Sequence, residues 1–96
     1  MKVDYEGFLS PLVIRRFGAY MHQHRTQSDG ALRGSDNWQK GIPKQEYFKS
    51  LWRHLEDAWL HHRGFGKLAR ESFEDALCGI LFNAQGYLHE ELKDKN

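Results

Sequence analysis

Four side chains able to do chemistry recur at helical spacing along one segment: Ser50, His54, Asp57 and His61. At about 100° per residue they fall within a wedge of roughly 60°. Tyr47, Leu51 and Ala58 border it. A solvated face normally gathers lysine and glutamate, and here Lys49, Arg53, Glu56 and Arg63 already form such a face elsewhere. Imidazoles and a carboxylate on a stripe of their own fit a polar cleft or an interface. A second line, Asp75, Gly79 and Asn83, repeats one turn apart, with Phe82 and Gly86 beside it. Each glycine costs a helix interior about 1 kcal/mol against alanine. Something therefore approaches the backbone closely there, either another helix or a ligand. A third group lies in GSDNWQKGIPKQEYF, residues 34–48, where Asn37, Trp38 and Lys40 offer an amide, an aromatic face and an ammonium group. They form either a lid over a ligand or a plug over the core.

Local explanations compete with each of these. Asp75 can cap its own helix, His54 and Asp57 can pair with each other, and Gly79 and Gly86 can serve helix packing. Cys78 reads as a small, inert, half-buried residue. His22-x-His24 and His61-His62 lack a third ligand at a recognisable spacing, so the pattern does not indicate zinc.

The elements that must position these groups are helical. Ser10-Pro11 is a helix start, serine as N-cap and proline at the first helical position. Val13, Phe17, Tyr20, Met21 and His24 then share one side, giving a first helix over 11–26. Residues 1–9 read as an extended arm carrying Val3, Tyr5, Phe8 and Leu9. From Thr26 to Gly41 no periodicity survives, and a loop of this length in a compact domain points to function or disorder; we take 27–42 as the functional loop. A second helix runs from near Pro43 to Gly64, with Phe48, Leu51, Trp52, Leu55, Trp59 and His62 as its apolar stripe. After the connection GFGKLA, Ser72-x-x-Asp75 opens a third helix. Its stripe is Phe73, Leu77, Ile80, Leu81, Ala84 and Leu88, and it fades into a disordered tail at 93–96. No strand pattern or internal repeat is present. The fold class expected is all-α: a small three-helix domain over 1–96, with a long loop between the first two helices.

Composition narrows the function. The chain has 96 residues, a formal net charge of +1, six histidines and one cysteine. So small an excess of cations argues against polymeric nucleic acid or a membrane surface as partner. A lone cysteine excludes an internal disulfide framework and agrees with a reducing cytoplasm. No apolar run would span a bilayer, and MKVDYEG is acidic and polar where a signal core would be apolar. Three helices do not easily cover both faces of the second one, so a homo-oligomer is expected to complete the domain.

In order along the chain, RRFGAY, SDNWQKGIP, Tyr47-x-x-Ser50-Leu51-x-Arg53-His54-x-x-Asp57, Glu74-Asp75-Ala76-Leu77 and ILFNAQGYL resemble one family. It is the phage-type dATP/dGTP diphosphohydrolase-like group, which looks like a distant relative of the all-α MazG-type nucleoside triphosphate pyrophosphohydrolases. The resemblance spans roughly residues 15–90. It implies a purine (deoxy)nucleotide as ligand and work in the cytoplasm of an infected or lysogenic bacterium. It also implies Mg²⁺ or Mn²⁺ as cofactor. The matched positions are Asn37, Trp38, Lys40, Arg53, His54, Asp57, Asp75 and Asn83. Of these, the resemblance casts His54, Asp57 and Asp75 as catalytic, with Asp57 and Asp75 on the metal. Asn37, Trp38, Lys40, Arg53 and Asn83 would bind nucleotide.

The MazG-type relatives use two acidic residues on each of two helices, because a hard divalent cation wants oxygen ligands. This chain departs from that pattern. Its acids come as the adjacent pairs Glu56-Asp57 and Glu74-Asp75, so one member of each points toward solvent. Three functions follow as expectations. The first is metal-assisted hydrolysis of a purine (deoxy)nucleoside triphosphate. The second is a non-catalytic phage protein that sequesters a nucleotide, including a nucleotide signal of bacterial immunity. The third is a structural protein whose polar stripes meet across subunits.

Overall fold

The computed structural model describes residues 1–95. Its elements are α1 (Tyr5–Phe8), α2 (Pro11–Gln23), a 3-10 turn at Asn37–Lys40, α3 (Lys44–His62), a second 3-10 turn at Gly66–Leu68, and α4 (Phe73–Asp94). The chain is all-α, with three main helices and no strand among the described residues. It divides into two compact units, Met1–Ser35 and Asp36–Asn96.

In the first unit, residues 1–9 are not wholly extended. Asp4 accepts a hydrogen bond from the Gly7 amide at 2.9 Å, and this cap closes the single turn of α1. Ser10 and Pro11 open α2 as expected, the serine hydroxyl accepting from Val13 N. The helix stops at Gln23, short of the expected residue 26. His24 Nδ1 donates to the Tyr20 carbonyl at 2.7 Å, and the rings of Tyr20 and His24 lie 4.2 Å apart. The side chain thus takes over the carbonyl that the next amide of a continuing helix would have used. Beyond it the supposed free loop is partly ordered. Thr26 and Leu32 form an isolated antiparallel bridge around a turn whose Gly30 has φ of 86°.

The second unit is a helical hairpin. Gly41, at φ 124°, and Pro43 lead into α3. Gly64, at φ 86°, follows its last turn, a left-handed position that costs glycine no Cβ clash. Ser72 caps α4 by accepting from Asp75 N at 3.1 Å. That helix continues through Asp94, so 93–95 are not the loose tail expected; Asn96 lies outside the described residues. At the open end of the hairpin, Lys44 Nζ reaches Glu91 at 2.8 Å and Asp94 at 2.7 Å.

The faces of the hairpin are assigned opposite to expectation. The seam between α3 and α4 is the polar stripe. A Cβ on Gly79 would collide with the His54 ring, and one on Gly86 would collide with the Tyr47 ring. The two glycines are therefore recesses that let large flat side chains reach the neighbouring backbone. Tyr47, Asp57, Ala58, Ala76, Gly79, Asn83 and Gly86 are buried. The apolar stripe of α3, taken from the sequence as core, faces outward: Phe48, Trp52, Leu55 and Trp59 are all exposed. Phe73, Leu77, Leu81 and Leu88 of α4 are exposed as well.

Candidate functional site

The glycine recesses bring the α3 stripe against the start of α4, where its polar groups find partners. His54 Nδ1 lies 2.7 Å from Glu71 Oε2, and His61 Nε2 donates to the Glu71 carbonyl at 2.7 Å. His61 also stacks on Phe73, centroids 5.3 Å apart and planes nearly parallel. Asp57 Oδ1 accepts from Arg70 N at 3.2 Å and from Arg70 Nε at 3.3 Å. Arg70 Nη2 continues outward to the Arg53 carbonyl at 2.9 Å and to Glu56 at 3.4 Å. One end of the seam thus holds two histidines, three carboxyl groups and an arginine in a single network.

Charge within the network is divided unequally. Asp57 is 2% exposed, and burial alone would push its carboxyl up. The Arg70 amide, the Glu71 side chain and the Arg70 guanidinium outweigh that and hold Asp57 below the ordinary value. Glu71 goes the other way: burial raises it, its hydrogen bond to His54 pulls back, and its hydrogen bond to Asp57 raises it again. The pair is best described as an ionised Asp57 beside a Glu71 that keeps its proton to higher pH.

Of the residues singled out in the sequence, Arg53, His54 and Asp57 meet here, together with His61. Trp38 and Asn83 make contacts elsewhere. Trp38 packs edge-on against Phe82 at 5.9 Å and His89 at 5.0 Å, on a later stretch of α4. Phe82 lies about one turn, and His89 nearly three turns, beyond the Gly79 recess that holds the His54 ring. Asn37 and Lys40 are exposed on the same 3-10 turn. Asn83 is buried and donates to the Gly79 carbonyl at 2.7 Å, a bond within its own helix. Asp75 sits in the first turn of α4, its amide bound to Ser72. Arg70 and Glu71 escaped the sequence reading, which treated the segment before Ser72 as a connection. The signal was available: a charged pair immediately before an N-cap sits where it can fold back on the preceding helix.

Mg²⁺ or Mn²⁺ does not fit this arrangement. A hard divalent ion needs several oxygen ligands, whereas the Asp57 carboxylate is nearly sealed and takes a guanidinium as its counter-charge. Among the described residues no three His, Cys, Asp or Glu side chains are grouped to hold a metal ion. Nor is any described helix long and apolar enough to cross a membrane. No protein-family model matches the chain, and no curated protein or solved structure matches it.

Proposed function

We propose that this protein binds a purine (deoxy)nucleotide and holds it without hydrolysing it. The nucleotide part of the reading rests on the resemblance of SDNWQKGIP, Arg53-His54-x-x-Asp57 and ILFNAQGYL to the diphosphohydrolase-like group. The observation that carries the rest is the state of Arg70. Its guanidinium neutralises Asp57 from within the chain, and its side chain remains 55% exposed. A carboxylate already paired in this way is poorly placed to hold a metal against a triphosphate. The open edge of Arg70 is well placed to meet phosphate oxygens, with Arg53 as its neighbour. Sequestration of a nucleotide, including a nucleotide signal in the cytoplasm of an infected bacterium, follows more readily from this arrangement than turnover.

Titration calorimetry with dATP, dGTP and a cyclic purine nucleotide tests the reading. Arg70→Ala and Arg53→Ala each remove a charge-assisted contact worth about 1.5–3 kcal/mol, which is roughly a 10- to 150-fold loss of affinity. Bound nucleotide should be recovered intact after incubation with Mg²⁺ or Mn²⁺. Release of pyrophosphate would overturn the non-hydrolytic reading, and absence of binding by every nucleotide would remove the proposal.

A further inference from the structure

Indole rings and guanidinium groups meet in one groove on the hairpin. Trp52 and Trp59 stand two turns apart on one side of α3, about 10 Å along its axis, and are 62% and 64% exposed. With Phe73, Leu77 and Ile80 of α4 they line a groove of about 650 Å³. Arg53, Glu56 and Arg70 line the same groove. Arg53 and Glu56 lie within about 100° of Trp52 around the helix, and Arg70 Nη2 donates to the Arg53 carbonyl at 2.9 Å. Broad aromatic faces and cations thus share one concave surface, of a size within the roughly 300–1,000 Å³ of small-molecule sites.

We infer that this groove takes the base of the bound nucleotide, the base lying against Trp52 and Trp59 while its phosphates meet Arg53 and Arg70. The inference rests on the nucleotide reading above and adds where the base lies and what is read of it. Charge and shape select this occupant together. The groove wall carries two guanidiniums against one carboxylate, Glu56, which lies 3.4 Å from Arg70. That side suits an anion, but inorganic phosphate would leave both indoles to water. An apolar helix laid in the groove would instead strip water from both guanidiniums. A flat base joined to phosphate answers both surfaces at once. Stacking on an aromatic face is tolerant of base identity, and the side chains of Phe73, Leu77 and Ile80 add no hydrogen-bonding group. The groove therefore reads the breadth of a base: purines are preferred to pyrimidines, and dATP and dGTP bind alike. Trp38, the aromatic offered by the loop, is engaged with Phe82 and His89, so the stacking role passes to α3.

Calorimetry of the full chain with dATP and dCTP tests the inference. Trp52→Leu and Trp59→Leu, made together, keep the groove apolar and remove both stacking faces. This variant should bind dATP roughly 5- to 150-fold more weakly than the wild type and show a narrower preference for dATP over dCTP. Wild-type binding of dATP that the double variant retains within about twofold overturns the inference and leaves the nucleotide reading standing. Absence of binding by every nucleotide to the wild type removes both. Should the variant lose its helicity, the indole N–H resonances of the wild-type chain decide. Those of Trp52 and Trp59 should move on addition of dATP while that of Trp38 stays. Movement of Trp38 with the other two unchanged overturns the inference. So does a bound dATP that moves none of the three, the result expected if a second copy or another stretch of chain fills the groove.

Discussion

The His54 ring occupies the space that a side chain at position 79 would need. The relationship explains why a helix otherwise rich in leucine and alanine carries glycine at that turn. It also fixes which face of α3 is inside, because only the stripe bearing Tyr47 and His54 finds recesses opposite.

Gly79→Ala should therefore destabilise the hairpin although alanine is the better helix former. Overpacking costs about 1–3 kcal/mol, and the gain in propensity returns about 1 kcal/mol. A net loss of up to about 2 kcal/mol in urea denaturation is expected. In a cycle with His54→Ala, the two changes should couple by more than 0.5 kcal/mol, roughly the error limit for independent sites.

Stability should pass through a maximum in mildly acidic solution. Asp57 lies below its ordinary 3.8, so its contribution is present above that value and is lost as the pH falls through its folded pKa. Glu71 lies above its ordinary 4.5, so its contribution is full below that value and is lost as the pH rises through its folded pKa. Glu71→Gln should abolish the decline on the alkaline side and leave the acid limb in place. Thermal midpoints measured from pH 3 to pH 8 check both limbs.

Trp38→Ala is expected to lower stability by about 1–3 kcal/mol, less than a fully buried tryptophan, and to leave nucleotide affinity within about twofold. Its edge contacts with Phe82 and His89 make it a plug on the flank of α4. Paired denaturation and calorimetry separate the two roles, and a lid would show the reverse pattern.

Asp57→Ala should cost less than Arg70→Ala. Removing Arg70 leaves an almost sealed carboxylate with only an amide and its acidic neighbour, a penalty on the order of 1–3 kcal/mol. Removing Asp57 frees an exposed guanidinium that water can solvate. The ranking is read from denaturant midpoints at pH 7.

Helix caps and glycine stops were legible from sequence: Ser10, Ser72 and Gly64 stand where their chemistry placed them. The polar stripe of α3 was also visible as a unit, as was the demand for a close approach at Gly79 and Gly86. What periodicity could not supply was which of two stripes faces inward. Apolar residues at Phe48, Trp52 and Trp59 outscore His54 and Asp57 on any hydrophobic scale, and only the glycine recesses of another helix reverse the choice. Arg70 was hidden for a related reason. Its role depends on a chain reversal at Gly64 that carries it back to Asp57, and that is a distance in space with no period in sequence.

The clamp at Lys44 has a consequence for how the hairpin closes. Its partner Asp94 is fifty positions away, whereas His61 and Glu71 are ten apart and Asp57 and Arg70 thirteen. Contacts near the turn close short loops and come at the lower entropic cost. Assembly then zips from the Gly64 reversal toward the far end, and the lysine fastens last. Breathing runs the other way, so amide exchange should be quickest where α3 begins and α4 ends, and slowest around His54.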